Sequence, residues 1–169
     1  MDFNASQTPG TFSEIVDQFP VEIIKKIEFI EDPVPFDEMV WSEFNLTLPL
    51  ARDKDLGPEF ESELGYKYII LKPARNNIAE FLQPLHKKNL KYIITSYMDH
   101  PVGQMAAAWE SAKVKDDPSR YACGLLTHRL YANNEYCESI KCNGPKLFPT
   151  SGYGVGFGDL LEKEDWKPL

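Results

Sequence analysis

Charged side chains close several of the short apolar runs in this chain. IEFIE ends at Glu31 and is followed by Asp32-Pro33; LPLAR runs into Asp53; YKYIILK ends at Lys72, just before Pro73; and the opening MDFN puts Asp2 where another strand would end. In parallel α/β architectures, the loops at the carboxyl ends of the strands converge on one mouth, and function gathers there. Three carboxylates and one lysine at four successive strand ends are therefore expected to project toward one place. Alternation supports this for two of them: Ile27, Phe29 and Glu31 share one strand face, as do Tyr68, Ile70 and Lys72. Carboxylates about 4 Å apart repel by several kcal/mol per pair at an effective dielectric of about 20. A hard divalent cation removes that penalty. Mg²⁺ takes oxygen ligands in an octahedron and keeps positions open for water or substrate. It could hold a substrate carboxylate and stabilise the enediolate left when an α-proton departs. Lys72 would serve as an acid/base group or as a fixed positive charge. Any one of these acids is more simply a solvated strand end or a helix cap; the four positions together favour a site.

The elements that must position these residues can be read from the apolar pattern. The runs Ile27–Glu31, Leu48–Arg52, Tyr66–Lys72, Lys91–Ser96 and Tyr121–Leu126 are short and rich in β-branched or aromatic residues, as buried strands are. Helices are expected between them. Residues 11–26 carry Phe12, Ile15, Val16 and Phe19 at helical spacing, with Thr11 or Ser13 as caps and a kink or restart at Pro20. Residues 76–88 place Ile78, Phe81, Leu82 and Leu85 on one stripe, and residues 101–113 have Pro in the first turn and an Ala-rich interior. Strand and helix in alternation imply parallel strands with helices packed outside them. The tail from Asn143 is rich in Gly and Pro. Its GYGVGFG follows no convincing strand and lacks a following Lys-Ser/Thr pair, so a turn region is expected there and not a phosphate loop. The expected organisation is residues 1–142 as a partial β/α barrel with a metal site, and residues 143–169 as a segment packing on it.

Composition narrows the function classes. The 169 residues carry 26 acidic and 18 basic groups, a formal charge of −8, with 43% hydrophobic and 12% aromatic residues. That is too apolar for a disordered acidic segment, and the charge argues against nucleic acid, whose affinity comes mainly from Lys and Arg on phosphates. No apolar run approaches a membrane span, and the first ten residues lack the basic and apolar regions of a signal peptide. The three cysteines, Cys123, Cys137 and Cys142, form no CxxC pair, which suits reduced thiols in the cytoplasm and argues against zinc. A complete eight-fold barrel typically takes about 250 residues, so this chain is expected to hold only part of one.

Four stretches carry a family resemblance: FIEDP around Glu31, PLARD around Asp53, IILKPA around Lys72, and ITSYMDHPVGQMAAAW at residues 93–109. Together they resemble the enolase superfamily, and within its muconate-lactonizing subgroup the o-succinylbenzoate synthases. The likeness runs over nearly the whole chain, in family order. It implies strands 3–8 of an enolase-superfamily TIM-type barrel, without the N-terminal capping domain and the first two strands. It implies Mg²⁺ held by Asp2, Glu31 and Asp53 at the ends of the third, fourth and fifth strands, with Asn4 organising the first loop. Lys72 matches the lysine closing the sixth strand, a cationic stabiliser in the synthases and a second base in the racemases. Thr95 and Ser96 match seventh-strand residues that contact the substrate's carboxylate or succinyl side, and Asp99 stands near the usual acidic position there. Gly124 and Leu125 fall at the eighth strand, where backbone lines the pocket. The implied reaction is dehydration of 2-succinyl-6-hydroxy-2,4-cyclohexadiene-1-carboxylate to o-succinylbenzoate, in menaquinone biosynthesis.

The departures carry expectations of their own. Lys54 follows Asp53 where the family commonly has a second acid. His100 intrudes after Asp99 and is read as a loop or surface residue. The family's second-strand Lys-x-Lys, which supplies the proton-abstracting lysine, has no counterpart ahead of Asp2. Catalysis by this chain alone is therefore not expected. The alternatives are another superfamily activity, racemisation or epimerisation of an N-acylamino acid or dipeptide, and a non-catalytic portion that needs a partner. Expected partners are a small carboxylate substrate and either a complementary N-terminal segment or a second copy, with no nucleic acid and no membrane.

Overall fold

The computed structural model describes residues 1–60, 65–130 and 132–167. Helix α1 (Pro9–Asp17) starts ahead of the expected caps, because Thr8 and Thr11 form a reciprocal pair. The Thr8 hydroxyl accepts the Thr11 N–H at 3.2 Å, and Thr11 Oγ1 accepts the Thr8 N–H at 3.0 Å, with Pro9 suited to the first turn. Pro20 ends that helix and a short α2 (Val21–Ile24) restarts after it. The Ile27 N–H still bonds the carbonyls of Ile23 and Ile24, so the run IEFIE becomes a strand only at β1 (Ile30–Glu31).

Helix α3 (Glu38–Asn45), which the apolar pattern did not single out, is capped by Asp37, whose Oδ1 accepts the Val40 N–H at 3.0 Å. Then follow β2 (Leu50–Arg52), β3 (Tyr68–Leu71), α4 (Ile78–Lys87), β4 (Lys91–Ile94) and α5 (Pro101–Lys113). The four strands form one sheet in the order β1-β2-β3-β4, with β1–β2 and β2–β3 parallel. Sequential order, with α3 between β1 and β2 and α4 between β3 and β4, is the arrangement of a β/α barrel. At one end Asp2 makes a parallel bridge to Glu31; beyond β4, Thr95 makes a parallel bridge to Gly124. The expected strand at Tyr121–Leu126 is thus corrected to a single bridge. The Gly124 N–H donates to Ile94 O and its carbonyl accepts the Ser96 N–H, both at 3.1 Å, and no further ladder is formed there by the described residues. The fold is α/β, a partial barrel.

By their internal contacts the residues form two compact units, Met1–Leu71 with Ala79–Ile93, and Lys72–Ile78 with Ile94–Leu169. The first holds nearly all of the sheet. Its core contains Phe12, Ile30, Trp41, Leu50, Tyr66, Ile69 and Leu85, each no more than 1% exposed. Trp41 stands edge-on to Phe36 and Tyr66, and its indole N–H lies 3.3 Å from the carbonyls of Val34 and Pro35.

In the second unit α5 packs with α6 (Glu135–Ser139), the antiparallel hairpin of β5 (Lys141–Asn143) and β6 (Lys146–Phe148), and α7 (Gly158–Leu161). Met105, Ile140 and Phe157 are its buried cluster, joined by Tyr136, Leu147 and Leu160. The glycine-rich tail supplies a folded turn here. Gly156 has φ +90°, and a Cβ on it would stand 1.7 Å from Thr150 Oγ1. All three cysteines are free, and no helix among the described residues is long and apolar enough to cross a membrane.

Candidate active site

The acidic residues meet in the first unit through the backbone register. Asp2 bridges Glu31, and Glu31 pairs with Ala51, so Asp53 lies two residues beyond Glu31's partner and on the same side of β2's line. Neighbouring parallel segments fix this row: the Glu31 N–H donates to Met1 O at 2.8 Å, and the Phe3 N–H to Glu31 O at 3.1 Å. Asn4 holds both oxygens of Asp2, its backbone N–H on Oδ1 at 2.8 Å and its side-chain amide on Oδ2 at 3.1 Å. Asp53 is buried, with 6% exposure, while Asp2 faces solvent. Lys54 turns its ammonium onto the Asn4 carbonyl. A departure in charge at that position has thus become a link between the N-terminal segment and the end of β2.

A fourth acid, Asp32, stands among these three and was not assigned a role from sequence. It is 3% exposed, and its two carboxylate oxygens accept the N–H groups of Asp53 and Lys54, each at 3.1 Å. Burial pushes its carboxyl above the ordinary carboxylate range. The nearby charges of Asp53 and Asp2 push the same way, against the two backbone hydrogen bonds. The only sequence signal was its place between Glu31 and Pro33.

The remaining expected residues belong to the second unit. The Lys72 carbonyl accepts the N–H groups of Arg75 and Asn76, and Asn76 Oδ1 accepts the Lys72 N–H at 2.9 Å, a turn that closes the strand. Its ammonium lies 5.5 Å from the centroid of the Tyr97 ring, with the Arg75 guanidinium 5.7 Å from the same ring. Asp99 accepts the Tyr97 N–H at 3.1 Å and packs against Gly103, where an added Cβ would come within 2.6 Å of the Asp99 Cβ. His100 caps α5, its Nδ1 accepting the Val102 N–H at 3.4 Å, and sets its ring edge-on to Tyr136.

Thr95, Ser96 and Gly124 come together at the bridge beyond β4. Ser96 is buried and its hydroxyl lies 2.7 Å from Thr127 Oγ1, whereas Thr95 Oγ1 is buried with no hydrogen-bond partner among the described residues. Gly124 and Leu125 line an open cleft of about 660 Å³ with Arg120, Cys123 and Thr127. Behind Ser96, Thr127 donates to Gln104 Oε1 at 3.5 Å, and Gln104 Nε2 lies 3.2 Å from His128 Nδ1. Burial, with the charge of Arg129 adding to it, pushes His128 below the ordinary imidazole value. Gln104 was legible only as a polar residue in an apolar helical stretch.

The chemistry of Asp2, Glu31 and Asp53, all hard oxygen donors on neighbouring chain ends, suits Mg²⁺. As they stand, no group of three or more His, Cys, Asp or Glu side chains among the described residues is gathered closely enough to hold an ion. The row is in register but not drawn in. Lys113-Val114-Lys115 has the Lys-x-Lys spacing, yet it closes α5, and Lys113 is paired with Glu110 at 2.6 Å.

A sheet of sequentially ordered parallel strands defines a fold class, the β/α barrel, here present in part. Solved structures agree on the fold. The substrate-liganded L-Ala-D/L-Glu epimerase of Bacillus subtilis matches with a TM-score of 0.67 at 15% identity, over 86% of this chain and 43% of that one. A mandelate racemase/muconate lactonizing protein of Herpetosiphon aurantiacus matches at 0.65, with 14% identity over 86% of this chain and 44% of the other. One from Roseiflexus sp. matches at 0.63, with 15% identity over 83% and 42%. No family model matches the chain. Over all of its length the chain is 34% identical to the o-succinylbenzoate synthase of Bdellovibrio bacteriovorus. It is similar to that synthase along its whole length and spans 53% of that curated relative, about half of it.

Proposed function

We propose that this chain is the barrel portion of an o-succinylbenzoate synthase-like, Mg²⁺-dependent lyase of menaquinone biosynthesis, working in the cytoplasm on 2-succinyl-6-hydroxy-2,4-cyclohexadiene-1-carboxylate. The observation that carries it is the 34% identity to a protein of that name over the whole chain, joined to the row of acids in register. Asp2, Glu31 and Asp53 would hold the ion, with Asn4 fixing Asp2. When bound, Mg²⁺ supplies a Lewis acid for the substrate carboxylate. Lys72, whose Nζ stands beside the Tyr97 ring, would serve the developing anion electrostatically. Thr95 offers a buried hydroxyl oxygen without a hydrogen-bond partner among the described residues, and Ser96, Gly124 and Leu125 would complete the substrate side.

Dehydration also requires a base for the α-proton, a role assigned to none of these 169 residues, which span 53% of the curated relative. These residues are proposed to turn over substrate only together with the rest of the length that the curated relative has. Aromatisation of the substrate, followed by ultraviolet absorbance with Mg²⁺ present, tests this directly. The purified chain should give no turnover alone. It should give turnover when mixed with the N-terminal part of the Bdellovibrio relative. Epimerisation of a dipeptide or N-acylamino acid by that mixture, without dehydration, would replace the lyase assignment.

A further inference from the structure

Resting on the metal reading above, we propose that Asp32 is a positioning residue of the acidic row: its carboxylate sets where Asp53 stands and, through Lys54 and Asn4, where Asp2 stands. A buried carboxylate is costly unless its oxygens are bonded, and Asp32 is 3% exposed. Both oxygens are used on successive N–H groups just past the end of β2, those of Asp53 and Lys54. Its own backbone joins two further segments. The Asp32 N–H donates to Ala51 O at 3.0 Å, and its carbonyl accepts the Ala5 N–H at 2.6 Å. One residue therefore ties the N-terminal segment, the end of β1 and the end of β2.

The backbone there has φ +39°, in the left-handed region, where Asp is among the better tolerated side chains. From Lys54 the linkage continues: its ammonium meets the Asn4 carbonyl, and Asn4 holds both oxygens of Asp2. Asp53 is thus one hydrogen bond from Asp32, and Asp2 is reached through two residues. Asparagine would not replace this arrangement. It offers one acceptor oxygen, and its NH₂ would face the other backbone N–H as donor against donor. An apolar residue would leave both N–H groups without their acceptor.

A residue that only closed a loop would cost stability on removal and leave ion binding alone. Two measurements on the whole chain separate that from positioning. Amide exchange by NMR should accelerate at Asp53 and Lys54 in Asp32→Asn, and further in Asp32→Ala, while the amides of Ile69–Leu71 keep their protection. Mg²⁺ affinity by calorimetry should fall about tenfold or more in Asp32→Asn, the usual scale for losing an outer partner of a metal ligand. Unchanged exchange at Asp53 and Lys54 in the Asn variant overturns the proposal, whether or not the Ala variant folds. Faster exchange with unchanged Mg²⁺ affinity overturns it too, leaving a structural role only. A wild-type chain that binds no Mg²⁺ contradicts the metal reading itself; the exchange comparison then still decides whether Asp32 fixes Asp53.

Discussion

Tyr136 and Glu164 illustrate how one contact sets a residue's chemistry. The phenol donates to Glu164 Oε1 at 2.7 Å, and that bond, with the carboxylate charges of Glu164 and Glu135, holds its pKa up at about 12. Spectrophotometric titration of the phenols should therefore show a late component that Tyr136→Phe removes. Glu164→Gln should bring that component down toward the ordinary value of about 10. A titration unchanged by either substitution would contradict the contact. Legibility at this scale was uneven. Asn4 was legible only through the family resemblance, in which an asparagine two residues after the first acid organises the loop. Asp32 and Gln104 owe their roles to backbone N–H groups and side chains distant in sequence, which no local pattern encodes. His100 could be placed on a loop, and its use as the α5 cap follows from Pro101 opening the helix.

At the scale of elements, two substitutions probe the packing that carries the acidic row. Gly65 has φ +87°, and a Cβ there would stand 2.7 Å from the Trp41 Cβ. Gly65→Ala should cost about 1–3 kcal/mol by overpacking α3 against the approach to β3. The Thr8→Ala change should cost about 1 kcal/mol through the lost cap of α1. Urea midpoints measure both, and a Gly65→Ala variant as stable as wild type would refute the close approach. Helix α5 was legible to its ends because Pro at its start and an Ala-rich interior leave little competition. Helix α3 is short, eight residues, and of its four apolar side chains only Trp41 is fully buried, so its stripe is weak in the sequence. β1 was overread because an apolar run does not reveal that its first residue still closes a helical turn.

For the molecule as a whole, pH and metal are the informative variables. His128 is 5% exposed and its imidazole is pushed below the unfolded value of about 6.5. In the window below that value the unfolded chain binds the proton more readily than the folded one, so acidification costs stability. Its contribution is complete above about 6.5 and is lost as pH falls. The urea midpoint should drop between pH 8 and pH 5, and less so in His128→Gln; an equal drop would contradict the assignment. The α/β class, the order of the strands and the acids at their ends could be read from sequence, since alternation and punctuation are local. The division into two compact units could not, because it depends on which distant residues pack together. The central proposal is that the acids in register form a Mg²⁺ site at the strand ends of this partial barrel, and calorimetric titration of the purified chain with Mg²⁺ tests it most directly. One ion should bind per chain, and Glu31→Gln should weaken that binding about tenfold or more with the thermal midpoint retained. Equal affinity in the two proteins, or no saturable binding to the wild type, would contradict it.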